Sequence, residues 1–71
     1  GNRGAIANDN VPNMVGQIST CLADARLNID DLLNKSRGDL AYTLIATDAP
    51  IPQEVLAKLR AIPGVLSART V

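Results

Sequence analysis

Two short stretches with apolar residues at helical spacing, set among four short strand-like runs, constrain this chain more than any single residue does. From Met14 to Ala25 the apolar positions are Val15, Ile18, Leu22 and Ala25, flanked by Met14 and Cys21, while Gln17, Thr20 and Asp24 take the other side. Steps of three and four residues predict an amphipathic helix. Pro12 suits its first turn, and Asn10 or Asn13 is placed to cap it. Val55, Leu56, Leu59 and Ile62 repeat the pattern between Pro52 and Pro63-Gly64, which ends it. Arg3 to Asn8 is a mostly apolar run that stops at the turn cluster Asp9, Asn10 and Pro12, and it predicts a first strand. Leu27 to Lys35 alternates imperfectly. Asp30-Asp31 breaks its period, which predicts a bulge. Arg37-Gly38-Asp39 is a turn signal between that run and Leu40–Thr47, a β-branched and aliphatic strand, so the two form a hairpin. The same tripeptide is an adhesion motif, but here it is turn chemistry. Val65 to Val71 is the last strand.

The order β-α-β-β-α-β is that of the split βαβ unit. The expected fold is therefore α+β, a ferredoxin-like sandwich with a four-stranded antiparallel sheet and two helices on one face. In the third strand both alternating sets, Leu40/Tyr42/Leu44/Ala46 and Ala41/Thr43/Ile45/Thr47, are mostly apolar. A strand half-exposed to water alternates more sharply than that. Either the small core is loosely patterned or a further surface packs nearby. The second option predicts a homodimer built from side-by-side sheet edges.

Length and charge narrow the function. With 71 residues the chain is one domain, spanning 1–71. A chain near this size buries only about 60% of its unfolded surface. Gly1 stands where a starting Met would, which reads as a piece cut from a longer chain, with residues 1–4 as linker or tag remnant. Seven basic and seven acidic residues cancel, and Tyr42 is the sole aromatic, so nucleic acid is not an expected partner. No run approaches the ~20 apolar residues of a membrane span. The single cysteine excludes an internal disulfide framework and a cysteine zinc cage. A lone thiol suits a reducing, cytoplasmic compartment.

No catalytic residue is expected. The chain has no His and no pair spaced as nucleophile and base. Cys21 lies beside the apolar stripe and reads as a small core residue. Asp30 and Asp31 are adjacent, so on a strand they point to opposite faces. The five glycines form neither a dinucleotide fingerprint nor a phosphate loop. Neither a metal site nor a cofactor is expected in this domain.

Asparagine is the unusual feature, with six in the chain. Asn8, Asn10 and Asn13 cluster where the first strand leads into the first helix, and Asn28 opens the second strand. A β-α-β unit is expected to bring those two places together. Asn offers an acceptor and two donors, and a helix N-terminus offers backbone N–H groups and positive partial charge. Together they suit a zwitterion. They also suit plain cap and turn roles.

Asn10 to Thr20 (NVPNMVGQIST), Leu27 to Ile45 (LNIDDLLNKSRGDLAYTLI) and Leu59 to Arg69 (LRAIPGVLSAR) resemble, in this order and at these separations, the C-terminal ACT domain of the D-3-phosphoglycerate dehydrogenase family. The resemblance covers about residues 5–71. It implies a domain that binds L-serine or another small amino acid at the interface of two paired ACT domains, and feedback control of serine biosynthesis. It further implies a parent oxidoreductase that uses NAD, whose catalytic domains are partners of this one. Mapped by motif, Asn10 and Asn28 would contact the ligand. Asn8 fills a third ligand position, often His in the family, and backbone N–H groups near Asn13 and Met14 would face the ligand carboxylate. Two positions depart from the family pattern: Asn13 stands where Gly commonly follows the Pro, and Arg26 where Gly usually precedes the second strand. The competing reading is a structural dimerisation module that keeps the fold without the ligand.

Overall fold

The computed structural model describes residues 2–71. Its elements are β1 (Arg3–Asp9), α1 (Met14–Asp24), β2 (Ile29–Arg37), β3 (Leu40–Thr47), α2 (Gln53–Arg60) and β4 (Val65–Thr70). The sheet is antiparallel in the order β2-β3-β1-β4, and both helices pack on one face. The ferredoxin-like βαββαβ sandwich expected from the sequence is the fold observed. Gly1, read above as the start of a linker or tag remnant, lies outside the described residues. Arg3 and Gly4 of that same span pair within β1, opposite Ala46 and Ile45.

The core forms where the two helices meet the inner face of the sheet. Met14, Ile18 and Leu22 form the buried line of α1, one residue every four, with Val15 and Ala25 at its margin. Val55, Leu56 and Leu59 are the buried residues of α2. Beneath them lie Ile6, Ala41, Ile45 and Ala68 of the sheet. β3 resolves the ambiguity of its two apolar sets. Ala41, Thr43, Ile45 and Thr47 point inward, whereas Leu40, Tyr42 and Leu44 stand on the open face, with Tyr42 61% exposed.

Pro12 lies in the turn before the N-cap of α1 and not in its first helical turn. The other punctuation signals act as expected, with one exception. Two residues of β2 spanning Asp30 oppose one step of β3, so the bulge falls at Asp30. Gly38 (φ 64°) is the first residue of a two-residue loop joining Arg37 to Leu40, where a tight hairpin turn requires positive φ. After α2 the chain turns through Pro63 and Gly64 (φ 97°), closed by the Val65 N–H donating to the Ile62 carbonyl at 3.0 Å. The exception is the cap of α1. Asn13 occupies the N-cap position, but neither its side chain nor that of Asn10 caps the helix. A left-handed backbone at Asn13 (φ 65°) turns its side chain along the first turn instead, over Gly16, whose missing Cβ leaves the space.

α1 ends in a Schellman arrangement. The Leu27 N–H donates to the Leu22 carbonyl at 3.0 Å and the Arg26 N–H to the Ala23 carbonyl at 2.9 Å, with Arg26 left-handed at φ 62°. Leu22 and Leu27 meet in the core beside it. Glycine is the usual residue at such a position because a Cβ there crowds the backbone. Arg26 is exposed, so its side chain gains no packing in return. Arg26→Gly is expected to raise stability by about 0.5–1 kcal/mol, relief of left-handed strain less the added freedom of the unfolded chain. Chemical denaturation measures it, and a loss of stability would show that Arg26 makes a contact its exposure does not suggest.

Candidate functional site

β1 and β2 are both antiparallel to β3, so they run parallel to each other with α1 as the crossover between them. The end of β1 and the start of β2 therefore lie at opposite ends of the sheet. This corrects the expectation that a β-α-β unit brings the two asparagine groups together. Asn8, Asn10, Asn13 and Met14 gather at one end of α1, and Asn28 sits at the other, beyond the full length of an 11-residue helix. At ~1.5 Å per residue that is about 16 Å.

At the first end the side chains differ sharply in availability. Asn8 is 1% exposed and faces inward, on the same side of β1 as Ile6. Its Oδ1 accepts from Thr43 Oγ1 at 3.1 Å, its Nδ2 donates to the Asp9 carbonyl at 3.0 Å, and Thr43 Oγ1 accepts from Asn34 Nδ2 at 2.8 Å. The result is a polar chain across β2, β3 and β1, so Asn8 serves as a structural tie. Asn10 is exposed. Its Nδ2 donates to the Gly38 carbonyl at 3.1 Å and its backbone N–H to the Asp39 carbonyl at 2.8 Å, which latches the β1–α1 turn to the β2–β3 hairpin loop. The Asn10 Oδ1 has no bonded donor among the described residues. Met14 buries its side chain in the core and contributes only backbone at the helix start.

The two helices answer their dipoles differently. α2 has Glu54 in its first turn and Lys58 and Arg60 in its last, each at the favourable end. α1 has no acidic residue in its first turn and no side-chain cap. Its N-terminal N–H groups are thus the uncompensated positive end in the helical layer.

At the far end, Asn28 is held by Asp48, a residue the sequence reading did not single out. The Asn28 N–H donates to Asp48 Oδ1 and the Asn28 Nδ2 to Asp48 Oδ2, both at 3.1 Å, and the Asp48 N–H returns a bond to the Asn28 carbonyl at 3.1 Å. The pair ties the α1–β2 connection to the β3–α2 loop. It presents to solvent an amide oxygen beside a carboxylate, a set that accepts from an ammonium group.

An open groove of about 370 Å³ runs along α1 from Asn13 past Gln17 and Cys21 to Asp24, closed on one side by Ile62. Of the predicted site residues it contains Asn13 alone. Cys21 lines it half-buried; burial pushes its thiol pKa up, with Lys58 pulling down and Asp24 adding to the rise. A raised pKa leaves little thiolate at neutral pH, which accords with Cys21 as a packing residue. Among the described residues no three His, Cys, Asp or Glu side chains converge as metal ligands, and no helix is long and apolar enough to cross a membrane.

No family model matches this sequence, and no curated protein does. Solved structures do. The crystal structure of the ACT domain from GTP pyrophosphokinase of Chlorobium tepidum superposes with a TM-score of 0.81 at 15% identity, covering 97% of this chain and 94% of that one. The solution NMR structure of that domain gives a TM-score of 0.77 at 15% identity, covering 97% and 82%. The chain has the ACT-domain fold. Its two non-glycine residues with left-handed backbone are Asn13 and Arg26, a conformation in which glycine is the usual residue.

Proposed function

We propose that this chain is a regulatory domain that binds an amino acid, L-serine, as a side-by-side homodimer, within a cytoplasmic D-3-phosphoglycerate dehydrogenase whose NAD-dependent chemistry belongs to its catalytic domains. The observation that carries this reading is the polarity of α1. Its uncompensated positive end lies at the Asn10–Met14 turn, and the acceptor pair Asn28/Asp48 lies beyond its other end. Neither alone complements a zwitterion. A second copy related by a two-fold axis at the β2 edge, perpendicular to the sheet, runs its α1 antiparallel to the first on the same side, so the turn of one copy faces Asn28 of the other. α1 lies on the β2 side of the helical layer, and β2 is an edge strand with a free ladder, so both requirements fall on one flank. The α1 N–H groups and Asn10 then take the ligand carboxylate, and Asn28 with Asp48 takes the ammonium. Asn8, Asn13 and Met14 support this from behind, Asn8 through the strand it ties and the other two through the backbone of the turn.

A structural dimerisation module is the second reading. The amide groups of Asn8, Asn10 and Asn28 all donate within the chain, and the Asn13 side chain lies along the turn that would receive the carboxylate.

Calorimetric titration with L-serine, glycine, L-alanine and L-threonine separates the two. The regulatory reading expects serine binding that Asn28→Ala weakens about tenfold, since unpaired polar atoms at the interface cost about 1–2 kcal/mol. Binding of none of the four amino acids would leave the structural module standing.

A further inference from the structure

We infer that the open face of the sheet is the seat of an amphipathic helix with acidic flanks, supplied by a protein partner. This surface lies on the sheet face opposite the helices, and its β2 rim borders the edge at which the proposed homodimer forms.

The face is built in rows across the sheet. Pairing sets Leu33, Leu44, Ala5 and Arg69 in one row, and Lys35, Tyr42, Ala7 and Ser67 in the next. Large residues on β3 beside alanines on β1 make a trough along β1. Its hollow of about 250 Å³ has Ala5 and Ala7 as floor, Tyr42 and Leu44 as one wall, and Ser67 and Arg69 as the other. A second hollow of about 260 Å³ continues past Leu33 and Val71. The β3 wall and the far end carry large apolar side chains left in water, with Leu44 47% and Val71 60% exposed. A contiguous patch of this kind on a neutral chain marks an interaction surface.

Charge selects the occupant. The chain is neutral, but this face is not. Lys35 and Arg37 rim it on the β2 side, with Asp31, and Arg69 rims it on the β4 side, while Arg3 and Asp9 stand at the two ends of the floor, four cations against two carboxylates. An apolar floor flanked by a net excess of positive charge complements an apolar stripe with acidic flanks. A second copy laid face to face would set these cations against their own kind.

Backbone chemistry selects the conformation. β1 and β3 under the trough are paired on both sides, so the face offers no free ladder to an extended strand. Its occupant must arrive with its own N–H and C=O groups satisfied, which a helix does. Two helices already cover the other face, and a third here completes a three-layer sandwich. Seven residues of β1 at ~3.3 Å each give a trough of about 23 Å, the length of about 15 helical residues.

Tyr42 is the only aromatic in the chain, so its fluorescence reports on this face alone. The probes are two helical peptides of about 15 residues, free of aromatics, with one Ala/Leu stripe and either Glu or Lys flanks. The Glu peptide is expected to change Tyr42 emission saturably, to bind about tenfold tighter than the Lys peptide, and to weaken as salt rises. Leu44→Asp is expected to abolish this binding without shifting the thermal melt, because Leu44 points outward. Arg69→Glu is expected to weaken the Glu peptide and strengthen the Lys peptide. Equal binding of both peptides, or of neither, overturns the proposal. So does dissociation of a self-associated form by Leu44→Asp, which would assign the face to a second copy. Tighter Tyr42 response to vesicles containing anionic lipid than to the Glu peptide would assign it to a membrane surface, and overturns it as well.

Discussion

Leu22→Ala is expected to lower the stability of this domain by about 2–5 kcal/mol, the range for truncating a leucine in a packed core. Leu22 is 0% exposed and lies within the cluster of Ile18, Leu56 and Leu59. Its carbonyl also receives the Leu27 N–H that closes α1, so the cavity would open beside the Schellman turn that sets the direction of β2. Little surrounding mass can collapse into the gap, because the core is a single layer between two helices and one sheet face. Small domains carry roughly 0.05–0.15 kcal/mol of stability per residue, so the loss is a large share of the total for a chain of 71 residues. Urea denaturation at fixed protein concentration measures it. Leu40→Ala is the control: Leu40 is 46% exposed and should change stability by less than about 0.5 kcal/mol. Equal effects at the two positions would contradict the assignment of inner and outer faces.

Thr43→Val is expected to cost about 2–3 kcal/mol despite the near-identical shape of the two side chains. Thr43 Oγ1 is the middle of the chain from Asn34 Nδ2 to Asn8 Oδ1, at 2.8 and 3.1 Å, and it is 0% exposed. Valine removes one acceptor and one donor at once. Asn8 Oδ1 then lies buried without a donor, and the Asn34 amide loses its partner. Each stranded group costs about 1–3 kcal/mol, reduced where water can reach, as at the more exposed Asn34. Thr43→Ser keeps the hydroxyl and isolates the methyl group, and its cost should be the smaller of the two. If valine is tolerated better than serine, the hydroxyl chain contributes nothing and Asn8 is held without it.

These two positions also show what the sequence made legible. Leu22 falls on a helical stripe, and periodicity alone places it in the core. The Asp30 bulge, the Gly38 loop and the Pro63-Gly64 turn were likewise readable, because each rests on the conformational limits of a few adjacent residues. Thr43 was not readable, because both alternating sets of β3 are apolar. Threonine turns inward there because Asn8 and Asn34, 35 and 9 residues away, satisfy its hydroxyl, while leucines at 40 and 44 stay outside. For Asn8 a signal existed, its two-residue offset from Ile6, which puts both on the same face of β1.

The candidate site was legible in composition but not in arrangement. Local spacing identified the amides and the helix start. It could not convey that α1 holds Asn10 and Asn28 apart, since that follows from the parallel sense of two strands separated by β3. Asp48 had no local signal at all. It lies 20 residues from Asn28 and meets it only because Ile29 pairs with Thr47.

The proposed site, shared between two copies, has one direct test. Asn10→Ala damages the turn half of each site, and Asn28→Ala the facing half. Each variant alone is expected to bind L-serine about tenfold more weakly than the unaltered chain. Mixed in equal amounts, about half the dimers contain one of each, and in those dimers one site unites two intact halves. Titration of the mixture should therefore recover full-affinity binding at about a quarter of the sites. Recovery of none, with both variants still dimeric by sedimentation, would contradict a ligand held between two copies of this domain.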